Sequence, residues 1–339
     1  MIKTLIIGCG RMGRRHISAV QSLTHKIIGV VDSSQESLDL TVKENNIKNS
    51  IIFKTLESAL INGIPDLAVI ATTADSHHDF TIKLANSGVK YILCEKPMAV
   101  SIAQCEEMIE VCNKSGTKLA INHMIRFLES DIEIKKLINS NKFGGLSAIN
   151  ISAGNFGLAM NGVHNIEMFR FLTDEQPQTI QAWFDEKTTP NPRGPEFFDK
   201  SGALRIKTKS GKVLNINSYA ASGHGVIITY ASRNAQIVLD SLTGQAQITV
   251  RKDEFLKNPT TQYGMPADNY SIDFKPIDVI SSCAKVISSL LSESNYPDGE
   301  TIINTIKIMS AAYVSSENGN IEIDILNYKL DKNRIFPWA

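Results

Sequence analysis

Gly8-Cys9-Gly10-Arg11-Met12-Gly13 follows a short apolar run and opens an amphipathic stretch, the context in which a G-x-G-x-x-G turn grips a diphosphate. Gly8 permits the tight turn and Gly10 lets the backbone approach the phosphates. Gly13 lets helix and strand pack closely, while the helix N-terminus supplies free N–H donors. Asp32 ends the next apolar run, where a carboxylate accepts both adenosine ribose hydroxyls and repels a 2′-phosphate. The residues behind it, Ser33 and Ser34, are not basic. The pattern predicts NAD, with NADP disfavoured, held by Gly8, Gly10, Arg11, Met12, Gly13 and Asp32. The bland alternative is a plain strand–helix turn with Asp32 capping the next helix.

Lys96, in Glu95-Lys96-Pro97, ends the fifth strand-like run, where ligands sit in open α/β sheets. An amine there either moves a hydroxyl proton, its pKa lowered by a neighbouring nicotinamide charge, or only hydrogen-bonds the substrate oxygen. His164 lies near a helix start with Met168, Phe171 and Leu172 on its face, so it points inward. The positive helix end disfavours imidazolium, leaving a neutral ring able to accept a proton; otherwise it is a satisfied core histidine. His164 and Glu167 have the i, i+3 spacing of a metal pair, but no second pair accompanies them and no metal is expected. Arg126 either pairs with an anionic group of the substrate or holds the domain junction.

These residues need a frame. The first 121 residues alternate short β-branched runs with helical stretches, predicting βαβ units and a doubly wound parallel sheet. The runs are 4–7, 27–31, 51–53, 67–71, 91–93 and 118–121. Ser76 with Asp79, and Ser101 with Gln104, read as helix-starting capping boxes. After a helical stretch at 130–138, strand-like runs follow one another at 146–152, 179–184, 203–209, 213–219, 226–230, 236–239 and 245–250. They predict an open, largely antiparallel sheet, with Ser210-Gly211 turning a hairpin. Helices are expected at 277–291 and 300–316 and a last strand at 321–325; 190–195 and 258–269 read as exposed loops. The division is a Rossmann domain over 1–121 and an α/β domain over 122–339 for substrate and oligomerisation.

Composition is close to that of an average folded cytosolic protein. The 339 residues exceed what one core usually serves. Lys plus Arg and Asp plus Glu number 35 each, so no net field recruits nucleic acid or an anionic membrane. Five cysteines without a C-x-x-C pair fit reduced cytoplasmic thiols rather than a disulfide framework or zinc ribbon. The apolar run before Cys9 is too short for a signal peptide, and no stretch approaches a membrane span.

With Glu95-Lys96-Pro97 beside the glycine turn, the chain resembles the Gfo/Idh/MocA oxidoreductases over nearly its whole length. Ala71-Thr72 followed by His77, Arg126-Phe127, and Gly162-Val163-His164 opening a helix add to the match. The resemblance implies an N-terminal Rossmann domain followed by an open-sheet α/β domain. It also implies hydride transfer between nicotinamide and a carbinol carbon of a sugar, cyclitol or nucleotide sugar. Glu95 would hold the nicotinamide ribose, Lys96 would lie beside the reacting hydroxyl, and Thr72 and His77 would border the cofactor. A homodimer or homotetramer through the second sheet is implied as well. One departure stands out: many members carry Asp four residues before this histidine, and here that position is Met160. A thioether takes no proton, so proton transfer falls to Lys96 and His164, with Asn161 either orienting substrate or capping the helix. The competing reading is a non-catalytic NAD-binding regulatory or scaffold protein that has kept the fold.

Overall fold

The computed structural model describes residues 1–154, 157–191, 193–223 and 225–338. Pro192, within the expected 190–195 loop, lies outside the described residues. The chain forms two compact units, one of 1–124, 278–306 and 331–339, the other of 125–277 and 307–330. Where the sequence suggests one crossing after residue 121, the chain crosses back and forth.

The first unit is built on alternating elements: β1 (Lys3–Ile7), α1 (Arg11–Ser22), β2 (Lys26–Val31), α2 (Gln35–Asn45), β3 (Ile52–Phe53), α3 (Leu56–Ile61), β4 (Leu67–Ile70), α4 (Ala74–Asn86), β5 (Tyr91–Cys94), α5 (Ile102–Ser115) and β6 (Lys118–Ile121). Its six strands run parallel in the order β3-β2-β1-β4-β5-β6. β4 is buried throughout and β1 at all but its first residue, as strands covered on both faces must be, which explains their unbroken apolar runs. The order reverses between β1 and β4, and loops leaving the carboxyl ends of those strands form the crevice where such sheets bind ligands. Ser101 caps α5 as predicted, accepting the Gln104 N–H at 3.2 Å. The capping box at Ser76 is not formed. α4 begins at Ala74 behind Thr73, and the Ser76 hydroxyl donates to the Thr73 carbonyl and the Thr72 hydroxyl instead.

The second unit begins with a 3-10 turn, Ile125–Phe127, followed by α6 (Glu129–Ile138), β7 (Leu146–Ala153), a π-helical turn at Leu158–Gly162 and α7 (Val163–Thr173). A run of strands follows: β8 (Pro177–Pro190), β9 (Phe198–Thr208), β10 (Val213–Ser218), β11 (Val226–Ser232), β12 (Ala235–Asp240), β13 (Gln245–Arg251) and β14 (Ala267–Asp273). The chain then supplies α8 (Val279–Leu291) to the first unit, α9 (Gly299–Glu317) across both ranges, and β15 (Ile323–Asp324) to the second. The nine strands lie in the order β14-β13-β12-β11-β7-β10-β9-β8-β15, all antiparallel except β7 with β10. Alternate residues such as Ile149, Ile151, Leu214 and Ile216 are buried. The opposite face carries a polar row in which Arg205 donates to Asn215 at 3.0 Å and Asn215 to Asn150 at 2.7 Å. The expected hairpin is present, with Gly211 at φ +87° between β9 and β10. β14 takes only the last three residues of the expected 258–269 loop, the rest of which lies outside helix and strand, and β8 runs on to Pro190, where a loop was expected to begin.

Candidate active site

The glycine turn takes the form that its three positions demand. Gly8 sits at φ +90°, and a Cβ there would meet the Ala71 carbonyl oxygen at 2.6 Å. At Gly13 a Cβ would lie 1.8 Å from the Gly8 carbonyl oxygen, so this glycine closes helix onto strand. A Cβ on Gly10 would meet nothing within 4 Å, leaving the space a diphosphate requires. No side chain caps α1, so its first amides remain available to an anion. The Asp32 carboxylate braces this turn, accepting the Cys9 N–H at 2.7 Å and the Ser34 N–H at 2.8 Å. α2 is capped by Ser34 rather than Asp32. Each Asp32 oxygen keeps a further lone pair for a ribose hydroxyl. Arg11 is exposed at the helix start, and Met12, half-buried, accepts a hydrogen bond from Arg15 at 3.6 Å. These residues fit a dinucleotide.

Lys96 follows β5 and is half-buried; its peptide bond to Pro97 is cis. Glu95 before it is buried and densely bonded. His16 Nε2 lies 2.7 Å from Glu95 Oε1, Asn122 donates to the same oxygen at 2.8 Å, and the Lys96 N–H donates to Oε2 at 3.3 Å. Burial works against the Glu95 carboxylate, but the hydrogen bond and charge of His16, then Lys96 and Asn122, hold it down to about 2. Burial likewise works against a charged His16, but Cys283 and Glu95 beside it outweigh that and hold the imidazole up to about 10. The pair is therefore an imidazolium–carboxylate ion pair inside the core.

His77 lies within the wall of the site rather than at its surface. It is fully buried, with Nδ1 2.9 Å from the Pro97 carbonyl and Nε2 3.2 Å from the Thr72 carbonyl, so both ring nitrogens are engaged by protein oxygens. Burial, only partly offset by those carbonyls, holds its pKa below the ordinary value. His77 thus ties the loop after β4 to the turn after Lys96. His78 pairs outward with Asp79 and Glu107.

In the second unit His164 is half-buried as the second residue of α7, with Met168 and Leu172 buried further along that helix. Asn161 sits in the π-helical turn and does not cap α7; Gly162 occupies that position. Asp199, from β9, holds this turn, accepting the N–H of Ala159 at 3.0 Å and of Met160 at 2.8 Å. Gly157 must be glycine there, since its φ is +69° and a Cβ would come within 2.6 Å of the Asp199 carboxylate. The Arg126 side chain is largely out of water, with its guanidinium 2.7 Å from Glu167, and Arg170 grips the same carboxylate at 2.6 Å. Arg126 therefore anchors α7, and Glu167 serves two arginines. Sequence reasoning missed His16, Asn122 and Asp199. His16 carried a signal, because it shares the apolar face of α1 with Ala19 and Val20, where a histidine requires a partner.

Residues 2–123 match the model of the "Oxidoreductase family, NAD-binding Rossmann fold". An inositol 2-dehydrogenase from Saccharopolyspora erythraea is 26% identical over 238 residues, 65% of this chain and 67% of the relative. An Agrobacterium radiobacter oxidoreductase, solved with NAD+, L-tartaric acid and magnesium, superposes with a TM-score of 0.78 at 18% identity, covering 96% of this chain and 98% of its own. A super-repressor mutant of Gal80p from Saccharomyces cerevisiae superposes at 0.76 and 14% identity, covering 97% and 100%. Among the described residues no helix is long and apolar enough to cross a membrane. Over residues 2–123, which include the glycine turn and the Glu-Lys-Pro corner, the chain is similar to the Gfo/Idh/MocA oxidoreductases with their NAD-binding Rossmann fold.

Proposed function

We propose that the protein interconverts a carbinol and a carbonyl on a polyhydroxylated small molecule, a cyclitol or sugar derivative, with Lys96 and His164 as the proton-transfer groups. The observation that carries this reading is the glycine turn at the β1/β4 switch point, open at Gly10 and sealed at Gly8 and Gly13. When bound, NAD supplies the two-electron acceptor or donor at nicotinamide C4. The chain's own residues do the rest. The α1 amides and Asp32 bind the dinucleotide, and the corner braced by Glu95 and His77 fixes Lys96. The amine of Lys96 takes or returns the hydroxyl proton, and the imidazole of His164 accepts or orients it. The inositol dehydrogenase relative supports a cyclitol before other polyols. Action in the cytoplasm as a homodimer or homotetramer through the polar face of the nine-stranded sheet belongs to the same proposal.

Absorbance of NADH across a panel of cyclitols, sugars and nucleotide sugars tests it. Lys96→Ala should keep NAD affinity and lose turnover by about 10²- to 10⁴-fold. Unchanged turnover in that variant removes the lysine from the reaction. Met160 at the family's acid position, with a repressor sharing the fold, favours a second reading as an NAD-dependent regulator. Tight NAD binding with no turnover on the whole panel would select it.

A further inference from the structure

We propose that His16 is a positioning residue: with Asn122 it forms a buried strut that fixes Glu95, and through Glu95 the corner carrying Lys96, to the helix that grips the dinucleotide. The inference rests on reading Lys96 as the proton-transfer group. Its basis is a convergence on one carboxylate. His16 reaches it from α1, on the turn after Gly13; Asn122 reaches it from behind β6; and the Lys96 N–H reaches it from the end of β5. Asn122 is itself fixed, its N–H donating to the Cys94 carbonyl at 2.7 Å and its side-chain amide 3.5 Å from the Cys283 sulfur. His77 holds the other side of the same corner through the Pro97 carbonyl.

Packing alone does not call for this arrangement. Ile17, Ala19 and Val20 of α1 are themselves fully out of water, and an apolar pair in place of His16 and Glu95 would seat the helix at least as well. What an apolar pair cannot do is aim. A carboxylate held by two donors on one oxygen presents its second oxygen in one direction, toward the Lys96 amide. The chain thereby links cofactor grip to lysine placement inside one unit, and a displacement of about 1 Å at such a group costs roughly 10²-fold in rate. The titratable groups acting on His16 are Glu95 at the end of β5 and Cys283 on α8, with Lys96 acting on Glu95.

The variants are His16→Leu, which removes the donor, and His16→Gln, which restores a donor without charge. Amide hydrogen exchange at Lys96 is the readout that needs no substrate. In His16→Leu it should run about tenfold faster than in the parent, consistent with loss of one charge-assisted hydrogen bond. Exchange across β1 and β4 should stay unchanged, and His16→Gln should recover most of the protection. With a turned-over substrate, kcat should fall about tenfold in His16→Leu at unchanged KM, and return in His16→Gln. If His16→Leu does not fold, Asn122→Ala, which leaves His16 on Glu95, should show the same local exchange to a smaller extent. Lys96 exchange unchanged in a folded variant, or rising equally across the whole unit, overturns the strut. Failure of the proposed function would appear separately, as Lys96→Ala with full turnover.

Discussion

Glu95 in the first unit and Asp199 in the second are both buried acids beside residues proposed to do chemistry, and they are satisfied by opposite means. Glu95 meets a cation, and its pKa falls to about 2. Asp199 meets peptide N–H groups, of Ala159, Met160 and Lys200, and its pKa rises because burial outweighs them. The first arrangement holds a charge in a chosen place. The second uses an acid as a clamp on a backbone turn, the turn that leads into His164. Position 160 carries a thioether, yet a carboxylate lies against that residue, bonded to its backbone N–H rather than carried on its side chain.

The most damaging way to probe the contrast is to remove the partner of the buried cation. Glu95→Leu leaves His16 without its carboxylate, and breaking a buried pair in this way costs about 3–5 kcal/mol. The pH dependence should also change sign. In the parent, the Glu95 contribution is complete above its ordinary value of 4.5 and is lost as pH falls toward 2. The His16 contribution is complete below its ordinary 6.5 and is lost as pH rises through about 10. Thermal stability should therefore decline on the alkaline side of 6.5. In Glu95→Leu the orphaned imidazole is disfavoured as a cation, so stability should instead increase as pH rises toward 6.5 and stay level above it. A melting profile of Glu95→Leu parallel to the parent from neutral to alkaline pH would show that the ion pair is not the source.

Asp199→Asn should have a smaller and more local effect. An amide offers one acceptor oxygen where the carboxylate offers two, so one of the Ala159 and Met160 N–H groups loses its partner, at about 1–3 kcal/mol. The π-helical turn should loosen while NAD affinity, set in the other unit, stays unchanged. Calorimetry against NAD together with kcat on the active substrate separates the two. A loss of NAD binding in this variant would show that the two acids do not have separate duties.

This contrast also marks what could be read from the sequence. The strands of the first sheet lie within a residue or two of their apolar runs, because burial on both faces leaves no polar interruption. Glu-Lys-Pro stands out in the sequence because its residues are contiguous at a strand end, whereas His16 and Asn122, which bond Glu95, come from other elements and leave no such mark. Asp199 was not, since its partners lie some forty residues earlier and the match forms only when β9 passes the turn after β7. β14 was invisible for another reason: Asp268 through Ser271 are exposed, so the segment shows no alternation. Arg126 was seen as a charged residue that needs a partner, but its partner, Glu167, is fixed by tertiary packing of α7, and a one-dimensional reading leaves substrate and protein equally plausible.

Asp131 extends the comparison to an acid that, among the described residues, meets neither a cation nor a ladder of amides. It lies buried in the first turn of α6 with the Ser130 hydroxyl at 3.3 Å. Burial dominates, offset only by that hydroxyl and its own backbone, and raises it from 3.8 to about 7. Its neutral form is therefore favoured in the fold. Whatever stability that form contributes is present below 3.8 and is lost as pH rises through about 7, the reverse of Glu95. Asp131→Asn cannot ionise and should remove this loss. The variant should match the parent near pH 4 and exceed it above pH 8 by about 1 kcal/mol, the gain reduced by an amide N–H group that burial leaves short of acceptors. If parent and variant instead melt with a constant offset across that interval, the acid is already paired in the fold. The three carboxylates would then differ in partner but not in charge.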